Sequence, residues 1–305
     1  MLNKILFFGN ERLGTGVVTT APTLQALIQA GYQITGVIVA QNELGQSRRA
    51  RELEIAQVAR QHTIPVLSPA KLIDMQPELA ALGAEIGVLV AYGKIVPQSI
   101  IDIFPRGIIN IHPSLLPLHR GPTPIESVIL EAAQQTGVSL MHVTAAMDSG
   151  PVYAQTSVAL SGDETKQNLA DQLLNLGKDM LLEHLPAILE ARLQPAAQDD
   201  NRATYDKRLS KLASQLDWHK PAAQLEREIR AYAGWPRSRT TLAGAQVIIT
   251  RAHAAEGNGT AGSLKLDNKQ LGVQCDPGIL IIDNLIPAGK KEMSASGFLA
   301  GYQLG

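Results

Sequence analysis

The sequence has a single cysteine, Cys275, which excludes an intramolecular disulfide and any zinc site built on several thiolates. Aromatic side chains are scarce at 4%, while Ala, Leu, Ile, Val and Gly are plentiful. That balance suits parallel sheets covered by helices better than an all-β sandwich. No run approaches the roughly 18 to 20 apolar residues needed to span a bilayer, and the apolar stretch in MLNKILFFGNERLG is too short for a signal-peptide core. A cytoplasmic location and no membrane partner are therefore expected. The seven histidines show neither H-x-x-x-H nor H-E-x-x-H spacing, so no metal is expected.

Strong net charge is also missing, since the chain carries a formal charge of −1. The average hides an asymmetry. Residues 1–200 hold 13 Lys and Arg against 19 Asp and Glu, whereas residues 201–305 hold 14 against 9. An acidic body joined to a basic tail suggests a polyanionic partner.

With 305 residues and 45% hydrophobic composition, the chain is long enough for about two domains. KILFFG and ITGVIVA read as strands flanking a helix over 16–30, a βαβ opening. An amphipathic helix with Ser47 as cap follows over 47–62. IPVLS, IGVLVAYG and GIINIH continue the strands, with helices over 74–83 and 97–103. Thr123, Pro124 and Glu126 have the spacing of a capping box, so a helix should begin near 124. VSLMHVTAA and VYAQTSVAL read as two further strands, closed by a helix within 163–191. This is an α/β body with a mainly parallel sheet. Residues 192–203, RLQPAAQDDNRA, are polar and aperiodic and read as a linker. Beyond them, a helix over 220–232 and the strands AQVIITRA, GSLKL, QLGVQC and ILIIDNLI have the spacing of a small barrel.

GNERLGTG after the first strand lacks both the Lys-Ser/Thr of a Walker A loop and the G-x-G-x-x-G spacing. It reads as a tight turn, which disfavours a nicotinamide-dependent dehydrogenase. INIHPSLLPLHRGP is more specific. Asn110 and His112 stand at i and i+2 at a strand's carboxyl end, so both side chains share the side where open α/β sheets place ligands. The prolines that follow need no backbone donors. Asp148, in MDSGP between two strands, could face His112 and orient its ring. Within its apolar strand, His142 reads as a packed core residue.

The motif N-I-H-P-S-L-L-P…R-G followed by M-D-S-G-P resembles the signature of the folate-dependent formyltransferases. The resemblance covers nearly the whole chain. YDKRLSKLASQLDW, AAQLEREIRAYAGWP and LIPAGKKEMSASGFLAGY are similar to the carboxyl-terminal domain of the members that act on aminoacylated tRNA. It implies a Rossmann-like catalytic domain over 1–191, a linker over 192–203 and a carboxyl-terminal OB-like β-barrel domain for tRNA over 204–305. It implies formyl transfer from 10-formyltetrahydrofolate to the α-amine of methionyl initiator tRNA, without a covalent enzyme intermediate, by a chain expected to be a monomer. Asn110, His112 and Asp148 are then the catalytic residues.

The formyl-folate pocket would be lined by Ala91, Tyr92, Gly93, Lys94, Ile95, Val96 and Pro97, with Ser114, Leu115, Leu116 and Pro117 contributing backbone contacts. Contacts to tRNA are expected from Arg48, Arg49, Arg51, Lys207, Arg208, Lys211, Arg237, Arg239, Lys290 and Lys291. Two readings remain beside this one. A formyltransferase for an amino sugar nucleotide or glycinamide ribonucleotide is opposed by the carboxyl-terminal segments, and an inactive tRNA-binding relative is opposed by the retained Asn110, His112 and Asp148.

Overall fold

The structure, a computed structural model, describes residues 3–40, 53–267 and 270–302. Two compact units make up the chain. Met1–Ile125, Gln135–Leu160 and Asn168–Lys207 form the first, and Glu126–Gln134, Ser161–Gln167 and Arg208–Gly305 the second.

The first unit is built on β1 (Lys4–Gly9), β2 (Gln33–Ile38), β3 (Val66–Leu67), β4 (Ile86–Val90), β5 (Ile108–His112), β6 (Gln135–His142) and β7 (Val152–Ala159). They lie in the order β3-β2-β1-β4-β5-β6-β7. The first five are parallel, and β6 and β7 add antiparallel pairs beyond β5. Strands β1, β4 and β5 are interior and read as near-continuous apolar runs, as sheets covered on both faces require. Edge strand β7 instead leaves Gln155, Thr156 and Ser157 exposed. The sheet runs outward from β1 through β2 to β3, then resumes on the other side of β1 with β4 and β5. Such a reversal opens a crevice at the carboxyl ends of the central strands.

The helices are α1 (Pro22–Gln29), α2 (Glu54–Gln61), α3 (Gln76–Ala81), α4 (Gln98–Ile101), α5 (Pro124–Leu130), α6 (Lys166–Leu189), α7 (Ala222–Ala231) and α8 (Ala295–Gly301). The first starts later than the expected residue 16. Pro22 occupies its first turn, where a missing N–H costs nothing. Glu11 caps it from afar, its carboxylate accepting the N–H groups of Thr23 and Leu24, each at 2.8 Å. The helix expected from 47 with Ser47 as its cap starts instead at Glu54, with Leu53 extended at its N-cap; Ser47 itself lies outside the described residues. Helix α5 begins at Pro124 as expected, with the Thr123 hydroxyl donating to the Lys207 carbonyl at 3.0 Å.

In the second unit, β8 (Ser238–Leu242), β9 (Ala245–Ala255), β10 (Leu264–Asp267), β11 (Gln270–Gln274), β12 (Ile279–Pro287) and β13 (Met293–Ser294) form one antiparallel sheet. Its order is β10-β11-β12-β9-β8, with β13 on β12. This half-barrel is OB-like. Its core includes Leu225 and Ile229 of α7, Leu271, Leu280 and Leu285 of the sheet, and Phe298 of α8. Strand β8 was not anticipated because two of its three inward residues are Ser238 and Thr240, which hide the apolar alternation. Ala243 and Gly244, both with positive φ, make the two-residue turn into β9, a backbone that twists with the strands. Glu126 and Lys166, 2% and 1% exposed, form a buried ion pair at 3.5 Å. Lys166 also donates to the Trp235 carbonyl at 3.0 Å.

Candidate active site

Strand β5 delivers Asn110 and His112 to the sheet's carboxyl edge on one face, with 8% and 4% of their surface exposed. The His112 Nε2–H donates to the His119 carbonyl at 3.0 Å, because a carbonyl can only accept. Nδ1 is thereby turned toward Asp148, whose Oδ1 lies 3.8 Å away. That distance is too long for a hydrogen bond.

Asp148 sits at φ 48, a left-handed conformation uncommon outside glycine and tolerated by Asp. Its Oδ2 accepts the Gly121 N–H at 2.8 Å, so Oδ1 is the atom left facing His112. The three residues expected to act together are therefore brought together.

The loop after β5 is tied to the antiparallel strands. Ser139 of β6 donates through Oγ to the Ser114 carbonyl at 2.6 Å and accepts from the Leu116 N–H at 3.0 Å. Gln155 of β7 donates to the Leu116 carbonyl and to Ser139 Oγ, both at 2.8 Å. The Pro117 carbonyl accepts from the Thr204 N–H at 3.2 Å. Main-chain groups of 114–117, expected to meet a ligand, are thus largely engaged within the chain, and Ser114 is fully buried.

Along 91–97, Tyr92 and Val96 face the core, at 2% and 3% exposed, and Tyr92 packs edge-on against Phe8. Gly93, Lys94 and Ile95 face outward. Ala91 and Gly93 have φ 53 and 71, and a Cβ at Gly93 would meet nothing within 4 Å. Small residues in this conformation turn main-chain groups toward open space.

Residues that were not anticipated complete the site. Arg120 is 1% exposed and binds Gln198, Asp200 and Tyr205. His119 Nδ1 lies 3.3 Å from Asp206 Oδ1. Residues 192–203, read as a linker, here continue into a strap along the active-site loop, with Arg120 bridging Tyr205 in parallel fashion. Arg120 stands inside the quoted motif, but nothing in the polar stretch around Gln198 marks it as its partner.

His142 is half-buried rather than packed in the core, with its Nδ1 3.2 Å from the Tyr153 hydroxyl. Burial lowers its pKa. It lines a cavity of about 510 Å³ with Gln98, Asp102, Arg106, Gly107 and Tyr153, at the end of β5 opposite Asn110 and His112. The cavity is lined by none of the expected catalytic or folate residues.

Lys207, Arg208, Lys211, Arg237, Arg239, Lys290 and Lys291 are all exposed, as contacts to a large anion require. Arg48, Arg49 and Arg51 lie outside the described residues.

Two convergent polar side chains at a strand end with a carboxylate beside them suit acyl transfer, and comparison with known proteins gives the class. Residues 4–185 match the family model described as "Formyl transferase" and residues 208–303 that described as "Formyl transferase, C-terminal domain". The chain belongs to the formyl transferase family. Its relatives within that family include the methionyl-tRNA formyltransferase of Chloroflexus aurantiacus, 37% identical over 98% of this chain and 96% of the relative. That of Stutzerimonas stutzeri is 40% identical over 94% and 91%. Among solved structures, HypX from Aquifex aeolicus in complex with tetrahydrofolic acid superposes with a TM-score of 0.66 at 15% identity, over 97% of this chain and 46% of that one. At that identity the likeness concerns the fold alone.

Proposed function

We infer that this enzyme transfers the formyl group of 10-formyltetrahydrofolate to the α-amine of methionine carried on initiator tRNA. The observation that carries the reading is the placement of Asn110 and His112 on one face of the β5 end, with Asp148 Oδ1 3.8 Å from His112 Nδ1. Full-length relatives named for this activity support it.

Chemically, attack of a neutral amine on a formyl carbon develops negative charge on the formyl oxygen. The Asn110 amide and the His112 Nδ1–H are the donors for that oxygen, and losing one such donor costs on the order of 10² to 10³ in rate. The Asp148 carboxylate, 3.8 Å from His112 Nδ1, takes part, directly or through water, in moving the amine's proton toward N10 of the donor. The run 91–97 suits a flat pterin, because Gly93 bares the main chain to open space and Ile95, 71% exposed, offers apolar surface. Of Ser114–Pro117, only the half-buried Leu115 and Pro117 would then be left to border the donor.

The same reading gives residues 1–191 the chemistry, 192–203 the connection and 204–305 tRNA binding, in a cytoplasmic monomer. No helix among the described residues is long and apolar enough to cross a membrane. The exposed cations from Lys207 to Lys291, with the undescribed Arg48, Arg49 and Arg51, are the phosphate contacts.

Formyl incorporation into methionyl initiator tRNA, measured beside uncharged tRNA and nucleotide-linked amino sugars, tests the reading. Incorporation only into the charged tRNA is expected, and faster formylation of an amino sugar would overturn it.

A further inference from the structure

Asp148 is aimed by a chain of contacts that reaches back through Gln198 to Arg120. Its carboxylate can face His112 only while the turn 148–150 holds its shape, and the φ of 48 at Asp148 is one that the residue does not prefer in isolation. The Gln198 side-chain amide holds this turn. Its Nε2 donates to the Asp148 carbonyl at 2.9 Å and to the Gly150 carbonyl at 2.7 Å, spanning Ser149.

Gln198 is fixed in turn. Its Oε1 accepts from Arg120 Nε at 3.1 Å and from Nη2 at 2.8 Å, so its acceptor is occupied and its donors must point at the turn. Arg120 Nη2 donates to Asp200 Oδ1 at 2.6 Å, and Nη1 to the Tyr205 hydroxyl at 2.9 Å. The backbone of Arg120 is clamped as well, its N–H donating to the Thr204 carbonyl and its carbonyl accepting from the Asp206 N–H. Arg120 also adjoins the other anchor of Asp148, since Gly121, which follows it, donates to Oδ2. The Arg120 guanidinium thus reaches the main chain at Asp148 through Gln198, while the backbone that follows Arg120 holds the carboxylate.

We propose that Gln198, oriented by Arg120, is a positioning residue for formyl transfer, setting the Asp148 carboxylate against His112 without touching either substrate. This rests on the formyl-transfer reading of the site. The strap that carries Gln198 is on this account part of the catalytic geometry, and the chemistry of the body extends past residue 191.

Steady-state formylation of methionyl initiator tRNA by full-length Gln198→Glu tests the proposal. The substitution keeps the shape and the acceptor for Arg120 while replacing the two donated hydrogen bonds with repulsion from carbonyl oxygens. The expected result is a kcat lowered about 10- to 100-fold, the scale of an ångström-sized misplacement, with KM for methionyl-tRNA and for formyl-folate within about twofold and an unchanged melting temperature. Gln198→Leu, which lacks the donors without adding charge, should show the same split between kcat and KM with a lower melting temperature, because buried Arg120 also loses an acceptor. Asp200→Ala, at an 81% exposed partner of Arg120, should leave kcat near the parent value because the contact of Arg120 with Gln198 survives. A parent-like kcat in both Gln198 variants overturns the proposal. So does a loss expressed in KM, or one that merely tracks lost folded protein. Failure of the unmodified chain to formylate methionyl-tRNA would instead refute the underlying reading.

Discussion

Two histidine–aspartate pairs share the loop that leaves β5, and their chemical composition is the same. His112 faces Asp148 at 3.8 Å, and His119 faces Asp206 at 3.3 Å. The closer pair is not the better candidate for catalysis. His112 ends a central strand beside Asn110, whereas His119 joins the loop to the strap, its N–H donating to Thr204 Oγ1 at 2.7 Å. The two are coupled because the His119 carbonyl accepts from His112 Nε2. On the proposed reading, position on the sheet, not the closeness of the carboxylate, separates the histidine that would meet substrate from the one that would hold it in place.

The comparison breaks if the two pairs respond alike to substitution. His112→Ala should lower kcat by about 10² to 10⁴, the range for a lost acid–base group, with tRNA affinity retained; it is read by steady-state formylation and filter binding. Asp206→Asn keeps the shape but weakens the second pair, and its kcat should fall only about three- to tenfold, since it loosens a support rather than removing a reacting group. Equal losses in the two variants would erase the distinction drawn here.

A sharper contrast comes from the donor segment. At Gly93 a side chain has room, yet φ 71 costs a non-glycine residue roughly 1–2 kcal/mol. Gly93→Val should therefore raise KM for formyl-folate several-fold and leave KM for methionyl-tRNA nearly unchanged. A parallel rise in both would assign Gly93 to packing.

The smallest effect concerns stability away from the reacting groups. Burial raises the Glu11 pKa to about 7 from 4.5, although the two N–H groups of α1 pull the other way. A raised folded-state value means that the native protein holds a proton that the unfolded chain releases. The contribution is fully present below about pH 4.5 and is lost as pH rises through about 7, following the linkage between proton binding and folding. Glu11→Gln should flatten the fall of unfolding free energy with pH across that window in denaturant titrations.

Much of the first unit was legible because its central strands are interior and apolar, and because proline stands at the starts of α1, α3, α4 and α5. Asn110 and His112 were legible for a local reason, two polar residues on one face at a strand end. Asp148 needed the family motif, since Asp-Ser-Gly alone is a turn. Gln198, Arg120 and Asp206 act through contacts between segments some 80 residues apart, and polar residues in an aperiodic stretch leave no periodic trace of such pairing. β8 escaped for a related reason, because its inward hydroxyls break the alternation that identifies a strand.

The central claim is that Asn110, His112 and Asp148 perform the formyl transfer. Single-turnover formylation of methionyl initiator tRNA by Asp148→Asn, with the enzyme in excess and both substrates saturating, tests it most directly. The substitution keeps the size of the side chain and an acceptor for the Gly121 N–H while removing the charge beside His112. The account predicts a transfer rate lowered by about 10² or more, with binding of both substrates unchanged. A rate within about twofold of the parent would contradict it.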